Sequence, residues 1–279
     1  MTALLEVSSL TKRYALRRDH VTACEDVTFQ VRRGEALALV GESGAGKSTV
    51  VRLIAGLEQP TTGHVLLRGH PTDARPRGRT ERLARAATVQ IVHQDPYSCL
   101  DPRQTIGAGL AELLRLHARR LGNGSATEAR VAELLDTVGL PGLADTRPAR
   151  LSGGQRQRAA IARALAVEPD ILLLDEAVAA LDISVQAQIL NLLADLREQK
   201  GTTLVFVTHD LAVVRQLCQQ TVVMRGGRVV EEGPVARILT APRHPYTQAL
   251  LDSVPRPGWH PRRTRRTDHT VDAIGDRRS

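Results

Sequence analysis

Polar and apolar residues follow two alternating patterns in the first part of the chain. Residues 4–10 and 26–31 alternate with the period of two that is typical of strands. Residues 35–40 form a short apolar run that predicts a buried strand, and residues 47–57 carry apolar side chains at helical spacing. The glycine-rich segment 41–46 is therefore predicted to join a buried strand to a helix.

The rest of the chain alternates between strand and helix patterns. Further strands are predicted at 86–92, 171–174 and 203–207. Helical spacing marks much of 105–165, on both sides of the flexible segment 122–125, and also the stretch from Val185 to Leu196. This alternation predicts an α/β fold with a largely parallel sheet and helices on both faces.

Composition adds few constraints, because the 279-residue chain is 42% hydrophobic and 24% charged, as in ordinary globular proteins. No stretch approaches the roughly 18 consecutive apolar residues of a membrane span, and the first residues lack a secretory pattern, so we expect a cytosolic protein. The cysteines, Cys24, Cys99 and Cys218, form no CxxC pair and predict neither a zinc site nor a disulfide framework.

Much of the formal net charge of +8 comes from two arginine-rich stretches, residues 68–85 and the tail from Arg256. Such stretches attract anionic surfaces. No stacking aromatic residues accompany them apart from Trp259, and we expect no nucleic acid as a partner. Residues 256–279 are poor in apolar side chains, which predicts a basic, disordered tail.

The clearest chemical motif is the segment Gly41–Thr49, which matches the pattern G-x-x-x-x-G-K-[ST]. Glycines allow backbone N–H groups to converge on phosphate oxygens, and the following helix adds its positive N-terminal dipole. Lys47 supplies a positive charge for the β- and γ-phosphates, and the Ser48 hydroxyl is a ligand for Mg²⁺. The predicted ATP-binding residues of this loop are Gly41, Glu42, Ser43, Gly44, Ala45, Gly46, Lys47, Ser48 and Thr49.

Two neighbouring carboxylates end the predicted strand 171–174. Asp175 is expected to hold Mg²⁺, usually through water, and Glu176 to polarise the attacking water as a general base. On its own, a charged strand end that faces solvent would explain this pair about as well. With the phosphate loop in the same chain, a phosphoryl-transfer site is the better interpretation.

The pentapeptide Leu151–Gln155, of sequence LSGGQ, resembles the signature motif of ABC ATPases. A serine and two glycines at the start of a helix also form a nest of backbone N–H groups that suits an anion. The resemblance implies that this nest binds the γ-phosphate of ATP held by a second subunit, so that ATP lies between two subunits. The residues with this implied role are Ser152, Gly153, Gly154 and Gln155.

Four single residues occupy positions where the resemblance implies a role. Gln94 resembles the Q-loop glutamine that senses Mg²⁺ and the attacking water, and His209 resembles the switch histidine that contacts the γ-phosphate. Asp182 resembles the D-loop aspartate that communicates across the dimer, and Tyr14 resembles the aromatic residue that stacks on adenine. The implied catalytic residues are Lys47, Gln94, Glu176 and His209, and the implied Mg²⁺ residues are Ser48, Gln94 and Asp175.

Three longer segments narrow the resemblance to the ATPases of oligopeptide, dipeptide and nickel importers. These segments are 94–103, 182–190 and 243–251. The resemblance implies a P-loop NTPase fold of the ABC-ATPase type, with a RecA-like core, an N-terminal antiparallel β subdomain and a helical signature subdomain. We expect one ABC ATPase domain over 1–255, with its helical subdomain at about 95–165, followed by the tail 256–279.

The chain departs from the family pattern at a few positions, which are His93, Asp101, Ala177 and Ala179. Ala179 lies in the D-loop, so the departures put cross-dimer coupling in question. None of them replaces a residue expected to contact phosphate, Mg²⁺ or the attacking water.

The resemblance implies a subunit that binds and hydrolyses ATP to power an importer of peptides, or of nickel or other metal chelates, at the cytoplasmic face of the cell membrane. Its implied partners are two transmembrane permease subunits that dock beside Gln94–Arg103, a second ATPase subunit in a homo- or heterodimer, and, indirectly, an extracytoplasmic substrate-binding protein. Two alternatives stay open: an ABC ATPase accessory to a soluble complex such as phosphonate breakdown, and a nucleic-acid-associated ABC ATPase. The cargo is not identified, because such an ATPase contacts ATP and the permease only.

Overall fold

The computed structural model describes residues 3–15, 19–72, 78–122 and 126–252, so the predicted tail 256–279 and most of the linker 122–125 lie outside the described residues. The strands are β1 (Ala3–Ala15), β2 (His20–Arg32), β3 (Ala36–Val40), β4 (Thr62–Leu67), β5 (His70–Pro71), β6 (Val89–His93), β7 (Ile171–Asp175), β8 (Thr203–Thr208), β9 (Gln220–Arg225) and β10 (Arg228–Pro234). The helices are α1 (Lys47–Ile54), α2 (Arg79–Thr88), α3 (Ile106–Leu116), α4 (Ala118–Leu121), α5 (Thr127–Thr137), α6 (Gly153–Leu165), α7 (Ile183–Lys200), α8 (Leu211–Leu217), α9 (Val235–Thr240) and α10 (Pro245–Asp252).

A six-stranded sheet forms the centre of the fold, with the strand order β10-β9-β3-β8-β7-β6. Strands β9, β3, β8, β7 and β6 run parallel, and β10 at the edge is antiparallel to β9. Ala36–Val40 and Ile171–Leu174 are buried at every position, because both faces of the sheet are covered. The predicted α/β fold and its parallel sheet are confirmed.

The two faces of this sheet pack against different layers, and side chains alternate between them along each strand. Leu172 and Phe206 belong to a buried cluster with residues of α3, α5, α6, α7 and α8. Leu173 and Val205 belong to a second cluster with α1 and strands β1, β2 and β4. Helices lie on both faces, as predicted. On the second face α1 shares the cover with a second sheet, which is the N-terminal antiparallel β subdomain that the resemblance implied.

That second sheet is antiparallel, with the strand order β2-β1-β4-β5. Strands β1 and β2 extend beyond the predicted segments 4–10 and 26–31. Their pairing shifts register near Ser9 and Asp26, which adopt left-handed backbone angles with φ of 46° and 51°. Such bulges insert an extra residue and reverse the alternation, which hides the continuation of the strands in the sequence. Tyr14 therefore lies within β1, beyond the predicted strand 4–10.

Between β6 and β7 the chain carries α3 to α6. The predicted strand 86–92 is wrong at its start, because residues 86–88 form the last turn of α2 and β6 begins at Val89. Alanine is a strong helix former, and the Thr88 hydroxyl donates to the Ala84 carbonyl at 2.8 Å, as expected within a helix. None of the helices in the described ranges combines the length and the apolar character that a membrane crossing requires.

Phe206 offers a test of this packing, because it is fully buried on β8, between β3 and β7. We expect Phe206→Ala to lower the free energy of unfolding by about 3–5 kcal/mol, measured by urea denaturation. The control is Leu57→Ala, whose side chain is 65% exposed and whose truncation should cost less than about 0.5 kcal/mol. Equal losses in the two variants would contradict this assignment of the core.

Candidate functional site

The parallel register places the ends of four strands side by side at one edge of the central sheet. The pairs at this edge are Val40 with Thr208, Val207 with Asp175, and Asp175 with His93. The residue that follows each strand, or its last residue, therefore faces the same region of space. In this way the phosphate loop, His209, Glu176 and Gln94 come together from distant parts of the sequence.

The phosphate loop leads directly into α1. Gly46 precedes this helix with a φ of 95°, and a Cβ atom there would lie 2.3 Å from the Ala23 carbonyl oxygen, so only glycine fits. The first turn of α1 has no acidic residue and no side-chain cap. Its free backbone N–H groups and its dipole suit a phosphate group. The helix ends at Ile54, before the predicted Leu57, because Gly56 takes a left-handed φ of 68°.

Lys47 lies inside the loop and is 5% exposed. Its Nζ donates to the carbonyl oxygens of Gly41 at 2.7 Å and Glu42 at 2.8 Å. Burial lowers the pKa of Lys47, while the negative charges of Glu176, Asp175 and Glu42 oppose that shift. The ammonium group is thus held by the loop and lies in the field of the carboxylates at the strand end.

Ser48 and Asp175 meet at the base of the site, where the Ser48 hydroxyl donates to Asp175 Oδ1 at 3.2 Å. Burial raises the pKa of Asp175, and the hydrogen bond from Ser48 opposes that shift. Both residues line a cleft of about 480 Å³. Its lining residues are Ser48, His93, Gln94, Asp95, Ser98, Asp175 and Glu176. The structure therefore brings Ser48, Gln94, Asp175 and Glu176 together at one cleft, and their roles toward ATP and Mg²⁺ stay predictions.

The donor set of this cleft fits Mg²⁺, which prefers oxygen ligands. One hydroxyl and one carboxylate oxygen converge, from Ser48 and Asp175. In the parts of the chain that the structure describes, no group of three or more His, Cys, Asp or Glu residues is arranged to hold a metal. A cation that takes most of its ligands from water and from substrate phosphates needs no such cage.

Glu176 follows β7 in an uncommon backbone conformation, with a φ of 51°. Such a left-handed residue costs about 1–2 kcal/mol and is held here by the bond from its N–H to the Val207 carbonyl at 3.0 Å. The turn places Glu176 Oε1 3.7 Å from His209 Nδ1. The carboxylate is 28% exposed and the imidazole is 59% exposed, and of the two residues only Glu176 lines the cleft.

The signature residues occupy the start of α6. Ser152 Oγ accepts from the Gln155 N–H at 3.2 Å, and Gln155 Oε1 accepts from the Ser152 N–H at 2.9 Å, which forms a capping box. Ser152 and Gly153 are exposed, and Gly154 is buried. None of these residues lines the cleft of Ser48 and Asp175.

Gly154 is required by packing against α7. A Cβ atom at this position would lie 2.3 Å from Val185 Cγ1, whereas a Cβ atom at Gly153 would lie 3.9 Å from its nearest neighbour, Leu181 Cδ2. Asp182 begins α7 and accepts from the Val185 N–H at 2.9 Å and the Ser184 hydroxyl at 2.7 Å. The bond from the Val185 N–H is the main cause of the lowered pKa of Asp182. Asp182 therefore caps the helix, whether or not it also contacts a partner.

Tyr14 is half-buried beside the start of α1. Its hydroxyl donates to Glu58 Oε2, and the Lys12 ammonium lies 5.1 Å from the centre of its ring. Burial and the Glu58 carboxylate raise the pKa of Tyr14. These contacts fix the ring orientation, and the stacking of adenine on Tyr14 stays a prediction.

Two contacts near the site involve residues that the sequence did not single out. Gln157 on α6 is 1% exposed, and its Nε2 donates to the His93 carbonyl at 3.2 Å, next to Gln94. A glutamine on the apolar face of a helix indicates a buried polar side chain, but nothing local in the sequence identifies the His93 carbonyl as its partner. Tyr246 on α10 accepts a hydrogen bond from the Glu42 N–H in the phosphate loop at 3.0 Å. Tyr246 lies in the segment 243–251 that resembles the importer ATPases, but nothing local in the sequence indicates this contact.

A phosphate loop and an acidic strand end meet at one sheet edge, and an LSGGQ segment begins α6. Together they define a nucleotide-binding cassette of the ABC class. Residues 24–179 match the family model described as "ABC transporter", which is more than half of the chain, and the chain belongs to this family. Residues 230–275 match a second model, "Oligopeptide/dipeptide transporter, C-terminal region".

Curated relatives and solved structures agree with this assignment. A putative peptide import ATP-binding protein of Brucella abortus (strain 2308) is 48% identical over 84% of this chain and 70% of its own length. The glutathione import ATP-binding protein GsiA of Salmonella paratyphi A is 44% identical over 90% of this chain, which spans 41% of that relative. A dimeric, post-hydrolysis structure of the ATP-binding cassette MJ0796 bound to ADP and Pi is 31% identical, with a TM-score of 0.72, over 83% of this chain and 98% of that one.

The contact between α6 and α7 predicts opposite effects of alanine at two adjacent glycines. We expect Gly154→Ala to destabilise the protein by about 1–3 kcal/mol through overlap with Val185, measured by urea denaturation. Gly153→Ala, which has room for its methyl group, should leave stability equal or higher because alanine favours helix. Val185→Ala combined with Gly154→Ala should recover most of the loss, and equal stability of the two single variants would contradict the packing argument.

Proposed function

We propose that this chain binds and hydrolyses ATP as an ATPase subunit of an importer for peptides. The observation that carries the proposal is the cleft in which Ser48, Gln94, Asp175 and Glu176 meet beside the phosphate loop. Positioning and charge neutralisation are what phosphoryl transfer to water needs from a protein, and this cleft offers both.

In the proposed reaction, Lys47 and the N–H groups at the start of α1 bind the phosphates of ATP, and Tyr14 stacks on the adenine. Ser48 and Asp175 would hold Mg²⁺, which when bound would supply positive charge that neutralises the phosphates. Glu176 accepts a proton from the attacking water, and Gln94 and His209 orient that water and the γ-phosphate. The 3.7 Å separation of Glu176 and His209 supports their joint action on one phosphate.

The separate position of the signature residues supports a site shared between two subunits. Ser152 and Gly153 are exposed and do not line the cleft, and Ile183, which follows Asp182, is 87% exposed. An exposed isoleucine beside an anion nest suits an interface between two copies of a cassette. We propose that Ser152–Gln155 contact ATP bound to the partner, with Asp182 at the same interface; the dimeric MJ0796 cassette supports this arrangement.

Peptide is the proposed class of cargo, because the curated relatives are described as peptide and glutathione import proteins and glutathione is itself a short peptide. Nickel, the second cargo class that the resemblance implies, is not named by these relatives, and their names favour import over phosphonate breakdown. A cavity of about 380 Å³ lies beside the Q-loop, lined by residues that include Leu100, Asp101 and Leu113. We propose it as the contact for permease subunits at the cytoplasmic face of the membrane, with an extracytoplasmic binding protein supplying the cargo.

Glu176→Gln tests the role of the general base. We expect the variant to retain ATP affinity within about threefold and to lose steady-state hydrolysis by about 10²–10⁴-fold, because the amide cannot accept the proton. Calorimetric titration with ATP and a phosphate-release assay measure the two quantities. Glu198→Gln, at a carboxylate that is 66% exposed on α7, is the control and should hydrolyse ATP normally. Normal turnover by Glu176→Gln would exclude this residue as the base.

A shared site predicts that turnover depends on protein concentration. Phosphate release per subunit should rise by more than about tenfold from dilute to concentrated samples, while the affinity for ATP should not change. Ile183→Glu should move this rise to higher protein concentration, and Leu116→Glu, at another exposed apolar residue, should not. Full turnover by a strictly monomeric sample would contradict the shared site and leave ATP binding unaffected.

A further inference from the structure

The outer side of the phosphate loop is in contact with the C-terminal helix α10. The Glu42 N–H donates to the Tyr246 hydroxyl at 3.0 Å, and the carbonyl of the same residue accepts from Lys47 Nζ at 2.8 Å. Tyr246 therefore fixes the backbone of the residue whose carbonyl orients the loop lysine. The two partners are 204 positions apart in sequence, so this contact depends on the docking of α10.

Tyr246 is itself held from several sides and is 6% exposed. Its ring lies 4.9 Å from the guanidinium carbon of Arg225, at the end of β9, and its N–H donates to His244 Nδ1 at 3.1 Å. The neighbouring Leu250 and Leu251 belong to the same buried cluster. A ring fixed in this way presents its hydroxyl to the loop in one position.

Glu231 on β10 anchors the start of this segment. Its carboxylate accepts from the Arg243 N–H at 2.9 Å, the His244 N–H at 3.0 Å and the Arg237 guanidinium at 3.1 Å. Burial by itself would raise the pKa of Glu231, but the hydrogen bonds from Arg243, His244 and Arg237 outweigh burial and lower the pKa to about 2. The ionised carboxylate thus connects β10 to the chain that enters α10.

We propose that Tyr246 is a positioning residue of the phosphate loop, and that Glu231 acts through it to set the affinity of this cassette for ATP. The inference rests on the proposed ATP-binding function of the loop. Apolar packing of α10 would account for Leu250 and Leu251, but it would not require a buried hydroxyl directed at a loop N–H. The hydrogen bond from the Glu42 N–H to Tyr246 holds Glu42 in the orientation in which its carbonyl accepts from Lys47 Nζ.

Tyr246→Phe in the full chain removes only the hydroxyl and keeps the ring and its contact with Arg225. We expect the Kd for ATP, measured by calorimetric titration, and the KM for hydrolysis to rise about 3- to 10-fold, the range of one hydrogen bond. The kcat should change less than about twofold, because the hydrogen bond orders the loop equally in the ATP complex and in the transition state. Gln248→Ala, at an exposed position on α10, is the matched control and should leave Kd unchanged.

Glu231→Gln separates positioning from simple stabilisation. We expect Glu231→Gln to raise the Kd for ATP, as Tyr246→Phe does. The double variant should have a Kd no higher than that of the weaker-binding single variant, because both substitutions act on one contact. A lower melting temperature with an unchanged Kd, or fully additive effects on Kd, would overturn the role of Glu231. Equal Kd values for the wild type and Tyr246→Phe would overturn the inference alone, whereas a wild-type chain that does not bind ATP would overturn the proposed function as well.

Discussion

The parallel pairing of β3, β8, β7 and β6 is the constraint on which the rest of the site depends. Because the strands run in the same direction and end in register, the residues that follow them meet at one edge although they are far apart in sequence. A slip of one residue in any strand would turn its buried side chains to the opposite face. The two covering layers prevent such a slip, since each strand contributes side chains to both buried clusters.

At this edge, the fold accommodates charge and strain that would be unfavourable elsewhere. Lys47 is buried, but the carboxylates of Asp175 and Glu176 offset part of the cost and its Nζ has two carbonyl partners. Glu176 adopts a left-handed backbone conformation, which is fixed by the hydrogen bond from its N–H to the Val207 carbonyl on the neighbouring strand β8. The strands of the sheet are rigid, and the loops that follow them carry the polar side chains of the site. These side chains keep their positions because each loop is attached to the end of a rigid strand.

Sequence patterns predicted the parts of the site that depend on local chemistry. The phosphate loop, the pair Asp175 and Glu176, and the helix start at Ser152 each have a motif whose context, a strand or a helix, was also visible in the hydrophobic pattern. The strands of the β1–β2 hairpin extend beyond the predicted segments 4–10 and 26–31, and this extension is hidden because bulges at Ser9 and Asp26 reverse the alternation. Contacts made across the fold have no local signal.

The contacts without a local signal have one property in common, which is that each joins a motif to a distant element. Gln157 reaches the His93 carbonyl over 64 positions, and Tyr246 reaches the Glu42 N–H over 204. The first links the signature helix to the loop that begins at Gln94, and the second links the C-terminal helix to the phosphate loop. A displacement of either helix would therefore shift residues that are proposed to contact ATP, although the motif sequences would be unchanged. The motifs account for what kind of chemistry the chain performs, and these distant contacts account for how firmly the groups that perform it are held.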